Sequence, residues 1–162
     1  MKKINFIILA SMLSLFSFSQ NSEKKTMADN AVNKSSYIFI GELISSKPFY
    51  TKEKAIYTSN IVAIKSILKG NLTIGTIEII TDGGTMDGLS IKPNDNVFIS
   101  AKSSVFFCND ADINSTPITF NNQNNKGLRI YDIVGFEDNT IYKSYGISNY
   151  FTKTTELFEY LN

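Results

Sequence analysis

Tyr37-Ile38-Phe39-Ile40-Gly41-Glu42-Leu43-Ile44 sets the character of this chain. Aromatic and β-branched residues dominate the run, which is the composition of a strand. Gly41 inside it marks a bulge or sharp bend, as a small coiled barrel requires. Pro48 closes the run, and Thr51-Lys52-Glu53-Lys54 reads as a charged turn. Residues 56–68 form the longest strand candidate, ended by the turn Lys69-Gly70-Asn71. Thr76-Ile77-Glu78-Ile79-Ile80-Thr81 is a third strand. Asp82-Gly83-Gly84 ends it with the most permissive backbone in the chain.

The pattern continues outward in both directions. Residues 27–34 predict a short helix with Ala28, Ala31 and Val32 on one side. Residues 89–92 read as a short excursion strand, and Pro93-Asn94-Asp95-Asn96 as a turn. Residues 97–100 and 105–108 read as one bent strand or two short ones. Residues 109–126, rich in Asn, read as a long mobile loop. Residues 128–134 are a clean strand with a partner at 140–145, and residues 149–162 close the chain as an amphipathic helix. Five or six strands with little helix between them mean a small antiparallel barrel or sandwich. Parallel α/β architectures lack the helices they need between strands.

The chain has 162 residues, one domain's worth. It holds no His and one Cys, which removes every Ser-His-Asp or Cys-His catalytic unit, every His-ligated or Cys-rich metal site and any internal disulfide. Sixteen basic and 15 acidic residues argue against a protein that neutralises phosphates. Cys108, following Val105-Phe106-Phe107, is expected to pack as a small apolar residue.

Met1-Lys2-Lys3, an apolar stretch to Phe18 and small residues at Ser17 and Ser19 make residues 1–19 a signal peptide. Cleavage after Ser19 leaves Gln20 first and residues 20–26 as a flexible lead-in to a single domain at 27–162. The stretch is too short and too interrupted by Ser for a transmembrane helix, and no Cys stands at the cut to take a lipid. The chain is therefore expected to be secreted or periplasmic, with no stable membrane anchor. Removing 19 of the 162 residues takes Lys2 and Lys3 and leaves 143, with 14 basic and 15 acidic residues and a charge of −1. That length supports one core without disulfides.

Three of these segments carry a resemblance. Residues 37–44 resemble the opening strand of netrin-like OB domains, the fold shared by tissue inhibitors of metalloproteases. The run Tyr57-Thr58-Ser59-Asn60-Ile61-Val62-Ala63-Ile64-Lys65-Ser66-Ile67-Leu68-Lys69-Gly70 resembles their second strand, which ends in a Leu-Lys-Gly turn. Residues 76–84 are similar to the third strand and its Gly-rich exit. Such domains are familiar in exported Bacteroidetes proteins. The resemblance covers residues 30–108 and implies a mainly β, OB-like barrel with a short helix at each end, standing alone as an exported module. It does not carry the inhibitors' mechanism, which needs an N-terminal Cys to chelate zinc where this chain has Gln20.

Three groups of residues are candidates for chemistry. Phe49, Tyr50 and Tyr57 lie near the first hairpin, where OB folds bind ligands and where aromatics stack on sugars, peptides or bases. The competing reading has them capping the core. In Asp82-Gly83-Gly84-Thr85-Met86-Asp87-Gly88, glycines let a backbone approach a ligand, and two carboxylates stand five apart. An ordinary turn explains the same residues. Asp110, Asp112 and Asn114 supply the opening oxygens of a Ca²⁺ loop, but Ser115 and Asn121 stand where Gly and Glu are needed. Calcium is thus the one cofactor with any sequence support. The favoured reading is a non-enzymatic binding module for a protein or surface glycan, and nucleic acid is the poorest ligand class. The rivals are a carboxylate- or metal-dependent hydrolase using Asp82, Asp87, Asp110 and Asp112, and an inhibitor of a secreted protease.

Overall fold

The computed structural model describes residues 25–51, 53–92, 102–111, 127–142 and 146–161. Helix α1 (residues 25–34) leads into β1 (Tyr37–Tyr50), β2 (Ile56–Lys69), β3 (Thr76–Asp82), β4 (Gly84–Met86) and β5 (Leu89–Ile91). Then come β6 (Ser103–Asp110), β7 (Leu128–Glu137), β8 (Thr140–Tyr142), a 3-10 turn (Gly146–Asn149) and α2 (Thr154–Leu161). The main sheet runs β3-β2-β1-β6-β7-β8, and β3 also pairs with β7. That extra pairing closes a ring of β1, β2, β3, β7 and β6. It is parallel and short, Ile79 beside Leu128 and Ile80 beside Arg129, while the other ring pairings are antiparallel. Strands β4 and β5 form a separate two-stranded ribbon.

Strand alternation divides the apolar residues between two cores. Phe39, Val62, Ile79, Phe106, Cys108 and Ile133 fill the ring. Ile38, Val105, Phe107 and Val134 point the other way, onto Ala28 and Ala31 of α1 and onto Ile147, Phe151 and Leu157. Strand β6 is therefore buried on both faces, so Val105-Phe106-Phe107-Cys108 shows no polar alternation. Cys108 sits wholly inside, and burial pushes its thiol far above the ordinary range, which keeps it unreactive.

Several boundaries differ from the sequence reading, among them the closing helix, which spans Thr154–Leu161 rather than 149–162 and follows a separate 3-10 turn. The first helix already includes residues 25 and 26, inside the expected lead-in of 20–26. Its Ala28–Ala31 face is packed, Tyr160 donates to Asp29, and Lys69 Nζ donates to the Val32 carbonyl at 2.6 Å, so both tertiary ends hold it. Strand β1 runs past Pro48 to Tyr50. Its pairing with β6 stops at Gly41, so among the described residues Pro48 lies where β1 pairs with β2 only and a missing N–H costs no ladder bond. Asn109, Asp110 and Ala111, expected in the long loop, are ordered at the end of β6. Asn109 Oδ1 accepts from the Ser36 N–H at 2.8 Å and from the Ser36 hydroxyl at 3.0 Å. The Ala111 N–H donates to the Gly127 carbonyl at 2.9 Å. The expected strand at 97–100 lies outside the described residues.

Asp132 places the last segment. Its carboxylate accepts the N–H of Ile133 at 2.7 Å and of Ile147 at 3.0 Å, tying the 3-10 turn to β7. Gly146 makes this approach possible: its φ is 68°, and a Cβ there would overlap the Asp132 carboxylate. Helix α2 is then laid against α1 and the outer face of β6 and β7.

Candidate functional site

Register decides which side chains share a face, because residues directly opposite point the same way. Phe49 stands opposite Tyr57, and Tyr57 opposite Asp82. Ile80, two residues before Asp82 on the same face, is beside Arg129. Phe49, Tyr57, Asp82 and Arg129 thus form a row across β1, β2, β3 and β7 on the outer surface of the ring. The ring of Phe49 lies 6.2 Å from that of Tyr57 at an interplanar angle of 27°. From the other side, the Arg129 guanidinium sits 5.6 Å from the Tyr57 centroid and pairs with the Asp82 carboxylate. Phe49 also anchors the row, joining Ile80 and Ala111 in a small buried cluster, and Gly127 rests so closely on Ile80 that a Cβ would come within 2.7 Å.

The energies rank these contacts. An exposed cation–π contact contributes about 0.5–1 kcal/mol and an exposed ion pair about 0–1 kcal/mol. The apolar cluster holds the row in place, and the charged pair on top contributes little to folding. Side-chain exposure is 38 % for Arg129 and 63 % for Asp82.

The glycine turn closes one end of the row. The Gly83 N–H donates to the Ile56 carbonyl at 2.9 Å, and its own carbonyl accepts from the Thr58 hydroxyl at 2.8 Å. Gly84 lies so near β1 and β2 that a Cβ would meet Thr58 Oγ1 at 2.7 Å and Pro48 Cβ at 3.0 Å. These two residues fold the chain back over the first hairpin and start the ribbon. Tyr50, pairing with Ile56, points to the opposite face from Phe49 and is exposed.

Of the carboxylates singled out in the sequence, Asp82 belongs to the row and Asp87 sits at the tip of the ribbon. Asp110 ends β6, where it accepts from the Tyr37 hydroxyl at 3.2 Å. Asp112 and Asn114 lie outside the described residues. Among the described residues no group of three His, Cys, Asp or Glu is arranged to hold a metal ion.

Glu78 adds a second polar feature to the same outer face. It lies opposite Ile61, is buried, and accepts from the Ser59 hydroxyl at 2.5 Å. Burial pushes its carboxyl above the ordinary glutamate value, and the Ser59 hydrogen bond only partly opposes this. A raised folded-state value means the folded chain holds the proton more tightly than the unfolded chain. The associated stability is complete below the ordinary glutamate value and is lost as pH rises through the raised one. Glu78→Gln therefore removes a pH-dependent loss. In thermal melts between pH 4 and pH 8, the variant's advantage over wild type grows with pH; a constant difference contradicts this assignment.

Arg129 and Glu78 carry no local signal in the sequence. Arg129 is one charged residue in a clean strand, and only the parallel β3–β7 pairing brings it to Tyr57. Comparison with protein-family models, with curated proteins and with solved structures finds no match to this chain.

Proposed function

We propose that this chain is an exported, non-enzymatic binding module on an OB-like, netrin-like barrel, with a protein or surface glycan as ligand. The ring order supports the OB-like reading. Five strands close through one parallel pairing, and a long bulged first strand is shared between two neighbours, as suits a five-stranded Greek-key barrel. The leader at residues 1–19 supports export, and Gln20 begins the mature chain. No described helix is long and apolar enough to cross a membrane.

One observation carries the binding reading. The Phe49–Tyr57–Arg129–Asp82 row lies on the face of β2 and β3 beside the first hairpin, the region OB barrels use for ligands. Tyr57 is flanked by Phe49 and Arg129, so the group offered to a ligand is the guanidinium. Its forked donors match a carboxylate, and Asp82 holds that place in the free chain. A mature charge of −1 and an aromatic ring already stacked make nucleic acid a poor fit.

The test is capture from culture supernatant by the immobilised exported chain, with proteins and glycans identified by mass spectrometry. Wild type retains a partner at physiological concentration, and Arg129→Ala reduces capture by about tenfold or more, as loss of a central Arg anchor does. Equal capture by the two chains, or no partner for wild type, refutes the reading.

A further inference from the structure

The β4–β5 ribbon is a surface that the binding site leaves unused. Gly84 pairs with Ile91, Thr85 with Ser90 and Met86 with Leu89. Asp87 and Gly88 at the tip have φ of 50° and 79°, the signature of a two-residue type I′ turn. Alternation places Met86, Leu89 and Ile91 on one face. Thr85 and Ser90 take the other, where their hydroxyls are bonded at 3.1 Å. Leu89 and Ile91 are 53 % and 44 % exposed. Strand β4 packs against β1 and β2, whereas β5 pairs with β4 alone among the described residues. A two-stranded ribbon is marginal in water, and an open edge with apolar side chains is a template for another strand.

The hairpin geometry says which backbone groups are free. Beside a two-residue turn the flanking pair, Met86 and Leu89, exchanges both hydrogen bonds, so the next pair does not. The N–H and C=O of Ser90 therefore point away from β4, toward the open edge.

We infer that β5 is a self-pairing edge, joining antiparallel to β5 of a second copy of this chain about a two-fold axis at Ser90. In that register the two Ser90 residues exchange N–H···O bonds, Leu89 lies opposite Ile91, and Gly88 lies opposite Lys92. The result is a four-stranded sheet, β4-β5-β5-β4, with Met86, Leu89 and Ile91 of both copies on one apolar face. Lys92 of each copy comes alongside Asp87 of the other on the polar face. This complementarity favours a second copy over an unrelated extended segment: apolar meets apolar, and every charge at the edge finds its opposite. The strand contact is only three residues long on each copy, far smaller than the roughly 800 Å² per partner of a stable complex, so the dimer is a weak one.

Sedimentation equilibrium of the purified exported chain tests this. Wild type moves from monomer toward dimer as concentration rises into the range of about 10⁻⁴ to 10⁻³ M. Ser90→Pro removes the donor aimed at the edge while sparing the β4–β5 bonds, and it stays monomeric throughout. Lys92→Glu sets like charges together and shifts association to concentrations at least about threefold higher. Asp87→Asn in that background relieves the repulsion and recovers part of the shift, which separates an edge contact from a damaged ribbon. A wild-type chain that remains monomeric at every concentration, or variants that associate as wild type does, overturns the inference.

Discussion

Gly41→Ala is expected to destabilise the chain by about 2–3 kcal/mol, at the upper end of overpacking costs. Gly41 is the last residue of β1 paired with both neighbours, with Ile64 of β2 and Ser104 of β6, and the β1–β2 register shifts between Ile40 and Gly41. A Cβ would stand 2.6 Å from Val62 Cγ1 and 2.8 Å from the Ala63 carbonyl oxygen. The methyl of Val62 can turn aside. The carbonyl belongs to the β2 backbone, so relieving the overlap means parting β1 from β2 where the strand coils. Urea denaturation reads the effect as a fall in midpoint with the slope unchanged. An unchanged midpoint would show that β1 does not make this close approach.

Phe39→Ala is expected to cost about 3–5 kcal/mol. Phe39 is fully buried in the ring and stacks on Phe106 with centroids 5.2 Å apart at 19°. The two rings join β1 to β6, the pairing that completes the ring on the side opposite β3 and β7. Deleting one leaves a cavity lined by Phe106 and the surrounding aliphatic side chains, which the closed ring resists collapsing. Because the rings touch, Phe106→Ala made in the Phe39→Ala background costs less than it does alone. The shortfall is about 0.5–1.5 kcal/mol, the coupling of an aromatic pair. Full additivity of the two substitutions would contradict the stacked core.

Much of the architecture is legible in local sequence. Tyr37-Ile38-Phe39-Ile40-Gly41 announces a strand with a kink, and the strand bends there. The helix near the start, the excursion strand at Leu89 and the inert Cys108 also follow from composition and neighbours. Pro48 misleads because a proline ends a central strand but sits easily on an edge, and nothing local says that β6 has already left β1 at Gly41. Asn109 and Asp110 misread for the opposite reason: their polarity suggests a loop, while their ordering comes from Ser36 and Tyr37, far away in sequence. The site divides along the same line. Phe49, Tyr57 and Asp82 are visible as aromatics and a turn carboxylate close to one hairpin. Arg129 joins them through a parallel pairing only two residues long on each strand, which leaves no periodicity to detect.

The row on β1, β2, β3 and β7 is proposed to receive the ligand. Hydrogen–deuterium exchange on residues 20–162, with and without the partner captured from culture supernatant, tests this most directly. Added protection is expected at residues 47–51, 55–58, 80–84 and 127–130, with α1 and α2 unchanged. Protection confined to the helices, or to β8 and the 3-10 turn, with the Arg129 region exchanging as in the free chain, would contradict it.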